Sequence, residues 1–199
     1  MKIFFNVQSN ELMRESAIIS IGMCSENNKY LYAEFNDIDF KTISPFVREN
    51  VFKATINVSN GDNIINKFEF SKRYPSVKPL VGTKYKLRPI ILNWLNQFND
   101  IELVSDVGHY GLVFLIDILF DNAIGADFIT YYDVNQLIAD SYNISTSDAF
   151  NISRKDFLSE KENEDLKWNA LYKADQISQI YKNLLEQKGA KENGKKRKK

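Results

Sequence analysis

Apolar positions crowd the start of the chain in two runs, residues 2–8 (Lys-Ile-Phe-Phe-Asn-Val-Gln) and 17–23 (Ala-Ile-Ile-Ser-Ile-Gly-Met), with a short polar segment between them. Runs of this length, rich in β-branched and aromatic residues and bounded by polar ones, predict two buried strands paired as a hairpin at the heart of a sheet. Residues 29–35 alternate well enough to predict a third strand of an antiparallel meander, entered through Glu26, Asn27 and Asn28. Ser44 followed by Pro45 is an N-cap with a proline at the first helical position, and predicts a short helix over 45–51.

The next region is less periodic. Residues 55–58 and 67–70 flank Asn60-Gly61-Asp62 and read as a small hairpin, whereas Pro75, Pro79 and Gly82 mark loop. Residues 89–98 carry apolar positions at helical spacing, with Pro89 where that helix would begin. A strand over 101–104 leads into 107–120, a nearly all-apolar stretch that predicts a helix lying against the sheet. Asp133 is placed to cap a helix through Ile138, and the last long helix is predicted over 169–187. From Lys188 onward there is no apolar face, which predicts a disordered basic tail over 188–199.

Composition supports one globular domain. The chain has 199 residues, 44% hydrophobic and 13% aromatic, enough apolar content for a substantial core. Lys plus Arg (26) balance Asp plus Glu (26), so no global field argues for nucleic acid. The distribution is uneven, because the tail ends in Lys195-Lys196-Arg197-Lys198-Lys199 and the body without it is acidic. The single cysteine, Cys24, excludes an internal disulfide and a cysteine-based zinc site, reads as a small core residue and suits a reducing compartment. No signal-like apolar segment opens the chain, and no run approaches the roughly 20 residues of a membrane span. A cytoplasmic protein with no membrane association is expected.

Within the first strand, Asn6 and Gln8 are two apart and so share one face. The opening strings Ile-Phe-Phe-Asn-Val-Gln, Ile-Ile-Ser-Ile-Gly-Met and Lys-Tyr-Leu-Tyr-Ala-Glu-Phe-Asn resemble the start of the small ribonuclease-H-like 3′–5′ exoribonucleases with an Asp-Glu-Asp-Asp-His active site. In that family the first strand reads roughly Phe-Asp-Thr-Glu-Phe-Thr, its two acids holding catalytic metals. A second motif, Ser-Asp-x-x-x-Tyr-Asp, is similar to Ser105-Asp106-Val107-Gly108-His109-Tyr110-Gly111. A third, His-Asn-Ala-Leu-x-Asp-Ala, is similar to Trp168-Asn169-Ala170-Leu171-Tyr172-Lys173-Ala174. The resemblance covers most of residues 2–185 in element order. It implies an α/β fold with a ribonuclease-H-like mixed sheet, an antiparallel meander followed by parallel strands, flanked by helices. The exonuclease-like domain is then 1–187, with 53–82 a variable insertion.

The chemical positions carried over by the resemblance are Asn6, Gln8, Gly111, Trp168 and Lys173, and none matches the family's residue. Two-metal phosphodiester cleavage needs several carboxylates to hold two cations about 3.5–4 Å apart. Two amides supply no negative charge, glycine supplies no ligand, and lysine repels a cation. Indole only donates, so Trp168 cannot abstract a proton. The expected protein is therefore a catalytically inactive exonuclease-like chain without a metal cofactor, acting by regulatory or inhibitory binding to a protein partner, to RNA or DNA, or to both. The resemblance also implies a homodimer. For nucleic acid, Trp168 could stack on a base, Lys173 could meet a phosphate, and Lys195, Lys196, Arg197, Lys198 and Lys199 could add salt-sensitive attraction. The alternative is an active exoribonuclease using magnesium or manganese, rewired through Asp106, Asp117, Asp165 or Asp175. The only histidine, His109, reads as structural.

Overall fold

The computed structural model describes residues 1–11, 16–39, 41, 43–57, 64–106, 108–120 and 130–196, with the side chains of 64, 108, 109 and 188–196 left aside. Six strands form one mixed sheet: β1 (Lys2–Ser9), β2 (Ile18–Ser25), β3 (Tyr30–Phe35), β4 (Leu80–Gly82), β5 (Glu102–Ser105) and β6 (Thr130–Asp133). Their spatial order is β4-β3-β2-β1-β5-β6. The first three strands are the antiparallel meander expected from the pattern, and β5 and β6 add in parallel beyond β1. β4 adds in parallel at the other edge, on β3.

Helices cover both faces, as the period of two in β1 requires. Ile3 and Phe5 point to one side and join Ile21, Met23 and Leu31 beneath α3 (Lys84–Leu95) and α4 (Gly108–Leu119). Phe4, Cys24 and Val104 point to the other. They pack under α5 (Val134–Tyr142) and α7 (Ala170–Lys196) through Leu137, Ile177, Ile180 and Leu184. β2 is buried along its whole length, so its run of apolar residues cannot alternate. Cys24 is fully buried, and burial pushes its thiol up to about 12, which makes it inert.

Local capping explains most helix starts. Ser44 Oγ accepts from Val47 N (3.3 Å) ahead of α1 (Pro45–Glu49), two residues shorter than predicted. Asp133 Oδ1 accepts from Asn135 N (2.8 Å) and starts α5 as predicted, and the helix runs past Ile138 to Tyr142. Ser145 Oγ accepts from Asp148 N (3.0 Å), the cap that opens α6 (Thr146–Asn151), and donates to Asp148 Oδ2 (2.7 Å).

Three expectations are corrected. Residues 67–70 are not a hairpin strand. They belong to α2 (Ile64–Arg73), where Phe70 and Tyr74 lie one helical turn apart and Phe70 meets Tyr32 at a ring separation of 5.2 Å. That tertiary contact outweighs β-propensity. The proposed Asn60-Gly61-Asp62 turn lies outside the described residues. Pro89 does not begin a helix but sits inside α3, which Thr83 caps by accepting from Lys86 N at 3.4 Å. The last helix does not stop at Gln187. Its backbone is helical to Lys196, in keeping with the helix propensity of its Lys, Glu and Ala content. Arg197, Lys198 and Lys199 lie outside the described residues. Among the described residues no helix is long and apolar enough to cross a membrane.

Candidate functional site

The sheet leaves an opening beside β1. Pairing between β1 and β5 ends at Phe4 and Val104, whereas pairing between β1 and β2 continues to Ser9 and Ile18. From Asn6 onward β1 therefore has one open edge, beyond the carboxyl end of β5. This is the point where the antiparallel and parallel halves of the sheet meet, and crevices at such points are the usual ligand sites of α/β sheets. A cavity of about 530 Å³ fills the opening.

Asn6, Gln8, Gly111, Trp168 and Lys173 all line this cavity. They come from β1, α4, the loop before α7, and α7 itself, so only the fold brings them together. Phe5, Phe114, Ile177 and Ile180 supply much of the remaining wall.

Each polar residue in the wall has a definite environment. Gln8 Nε2 donates to Asn6 Oδ1 at 2.9 Å, so the two amides close on each other. Lys173 Nζ donates to Glu162 Oε1 (3.0 Å) and Gln176 Oε1 (3.1 Å). Lys155 Nζ lies 3.0 Å from the other oxygen of Glu162. Burial acts to raise the Glu162 carboxyl, but hydrogen bonds from Lys155 and Lys173 outweigh it and bring the group down to about 2. Lys173 is thus answered by an internal carboxylate.

Asp106 and Arg154 form the second charged cluster. Arg154 meets both Asp106 oxygens at 2.8 Å in a bidentate pair. Its remaining donors go to the carbonyls of Ala149 (3.0 Å) and Ile152 (2.8 Å) and to Asn135 Oδ1. All five guanidinium N–H groups are therefore taken.

Trp168 is half-buried, edge-on to Phe46 with ring centroids 5.5 Å apart, and packs on the cluster of Ile19, Ile43, Val47 and Phe52. Its indole Nε1 is buried without a hydrogen-bond partner. Gly111 sits in α4 with room around it, since a Cβ there would come no closer than 3.5 Å, to Phe5 Cε2.

The rest of the Trp168-to-Ala174 motif is structural. Asn169, 1% exposed, caps α7 by accepting from Leu171 N (3.0 Å) and Tyr172 N (3.2 Å), and its Nδ2 donates to the Ala54 carbonyl at 3.0 Å. Ala170 and Leu171 press on Gly22, where a Cβ would lie only 2.2 Å from Leu171 Cα. This close approach brings the start of α7 onto β2 beside Asn6, the residue paired with Gly22.

The carboxylates of the rewired alternative are not brought together. Asp106 alone lines the cavity; Asp117 pairs with Lys84 (2.8 Å) and Asp175 with Arg73 (2.9 Å), while Asp165 is exposed. Among the described residues no group of three or more His, Cys, Asp or Glu could hold a metal ion. The side chains of His109, Lys195 and Lys196 lie outside the described residues.

Sequence reasoning missed Arg154, Glu162 and Phe150. Arg154 follows a short helix whose Ser145 N-cap was a readable signal. Glu162 lies in an irregular segment, and no local pattern ties it to Lys173. No protein-family model matches the chain, and no curated protein matches it.

Proposed function

We propose that the chain is a catalytically silent protein of ribonuclease-H-like exonuclease type that acts by binding, in a regulatory or inhibitory role. The observation that carries this reading is the convergence of Asn6, Gln8, Gly111, Trp168 and Lys173 on one cavity at the carboxyl end of the central strands. Independent substitutions scattered through a fold would not be expected to share one cavity. An antiparallel meander followed by parallel strands, with helices on both faces, supports the same reading.

The cavity chemistry argues against hydrolysis. A two-cation mechanism needs carboxylates converging on the reacting phosphate. The cavity offers an amide pair, a lysine, and one carboxylate already locked to Arg154. The test is incubation of the full chain with end-labelled single-stranded RNA or DNA in magnesium or manganese. No shortening is expected. Metal-dependent shortening that is lost in Asp106→Asn would replace this reading with the rewired exoribonuclease.

A further inference from the structure

The silent cavity is close to electrically neutral, and its rim is aromatic. Arg154 has no donor left, and Lys173 gives two of its three N–H groups to Glu162 and Gln176, so its charge is largely answered inside the protein. Nucleic-acid sites need free cations along the backbone path. Around the mouth stand three aromatic side chains from three elements: Phe46 of α1 (57% exposed), Tyr110 of α4 (43%) and Phe150 of α6 (56%). Tyr110 and Phe150 line the cavity directly, and Phe46 rests on its Trp168 wall. Depleted free charge with exposed aromatics is the signature of a protein-binding hot spot.

The amide pair adds a directional element. Gln8 Nε2 bonded to Asn6 Oδ1 leaves Asn6 Nδ2 as a donor and Gln8 Oε1 as an acceptor, side by side. Flipping both amides still leaves one donor and one acceptor. An extended peptide presents the N–H and C=O of alternate residues on one side, the complement of such a pair. At about 530 Å³ the cavity is in the range of sites that enclose a side chain or small ligand.

We propose that this cavity docks an uncharged peptide segment of a protein partner, which inserts one aromatic or aliphatic side chain and sets the N–H and C=O of one residue against Asn6 and Gln8. The inference rests on the reading that the chain acts by binding, and it names the occupant of that same site.

The test pans the immobilised full chain against a phage-displayed library of short random peptides, and titrates the recovered peptides into the protein by calorimetry. The recovered sequences should share an uncharged segment centred on an aromatic or aliphatic residue. Gly111→Leu, which extends a side chain into the cavity from a position where a Cβ meets only ordinary contacts, and Phe150→Ser, at the exposed rim, should each weaken binding at least about tenfold. Neither variant should lower the melting temperature below that of the parent. Asn6→Ala with Gln8→Ala should weaken it as well, through loss of the paired hydrogen bonds.

The inference is overturned if no peptide is recovered, if the recovered peptides are charged, or if they bind the variants as tightly as the parent. It is also overturned if a single-stranded RNA oligonucleotide binds and Gly111→Leu abolishes that binding. Self-association seen by sedimentation and lost in both Gly111→Leu and Phe150→Ser would assign the cavity to a second copy of the chain and overturn it too. Shortening of RNA by the parent protein defeats the functional reading whatever the peptides do. Peptide failure without shortening defeats only this inference.

Discussion

Two glycines carry different constraints: Gly111 lines the cavity, and Gly22 sits on β2 opposite Asn6, under the start of α7. At Gly22 a side chain would collide with the backbone of Leu171 and Ala170, because α7 starts directly on β2. At Gly111 the nearest atoms stand at ordinary contact distance, and the space beyond belongs to the cavity. The frame around Gly22 and Asn169 is tight, whereas a Cβ at Gly111 would meet only ordinary contacts. The comparison separates two kinds of residue inside the same motifs. Some hold the chain in place, and others only face the opening.

Substitutions should break this comparison in order of size. Gly22→Ala should cost about 3 kcal/mol or more, because backbone cannot yield as a side-chain tip can. Urea unfolding checks it, and a loss below about 1 kcal/mol would mean that α7 can move off β2. Asn169→Ala should cost about 2–3 kcal/mol, through loss of the α7 cap and an Ala54 carbonyl left buried without its donor. The same unfolding experiment should show Asn169→Asp recovering part of the loss, since a carboxylate still caps but cannot donate to Ala54.

A smaller effect is expected at Glu162, on the cavity side. Its carboxyl titrates at about 2 in the fold against 4.5 as a free side chain, so the unfolded chain binds the proton more readily. The stability it contributes is fully present above about 4.5 and is lost as the pH falls towards 2. Melting temperatures across that window should fall less steeply in Glu162→Gln than in the parent. An unchanged slope would show that Lys155 and Lys173 do not hold this carboxylate in solution. The smallest effect belongs to Gly111→Ala, expected to stabilise the protein by up to about 1 kcal/mol through helix propensity. A clear destabilisation would show that α4 is tighter against Phe5 than its spacing indicates.

Nucleic-acid binding divides the molecule differently. With Lys173 and Arg154 neutralised internally, any sequence-independent affinity should come from the basic residues beyond Gln187. Truncation after Gln187 should nearly abolish salt-dependent binding of single-stranded RNA, while Lys173→Ala should change it little. Retention of binding by the truncated chain would return the cleft to consideration.

Much of the frame was legible in the chain. The meander of β1, β2 and β3 follows from apolar runs and turn residues, and α1 and α5 from Ser44-Pro45 and Asp133, because strand pairing in a hairpin and helix capping are local events. β6 could have been found from its Thr130-Tyr131-Tyr132 run, and α6 from its Ser145 cap. The Lys67-to-Phe70 segment was misread because its helix is stabilised by Tyr32, a contact with a distant strand. β4 was missed for a similar reason, since three residues following Pro79 become a strand only by pairing with β3.

The sequence alone supplies the identities of five residues: amides at 6 and 8, glycine at 111, tryptophan at 168 and lysine at 173. Those identities need no coordinates. Tertiary structure alone decided that all five face one cavity, that Glu162 neutralises Lys173, and that Asp106 is locked to Arg154. The partners in those pairs are 11 and 48 residues apart in the chain. Charge pairing is set by distance in space, and no local pattern along the chain encodes which acid an isolated base will meet.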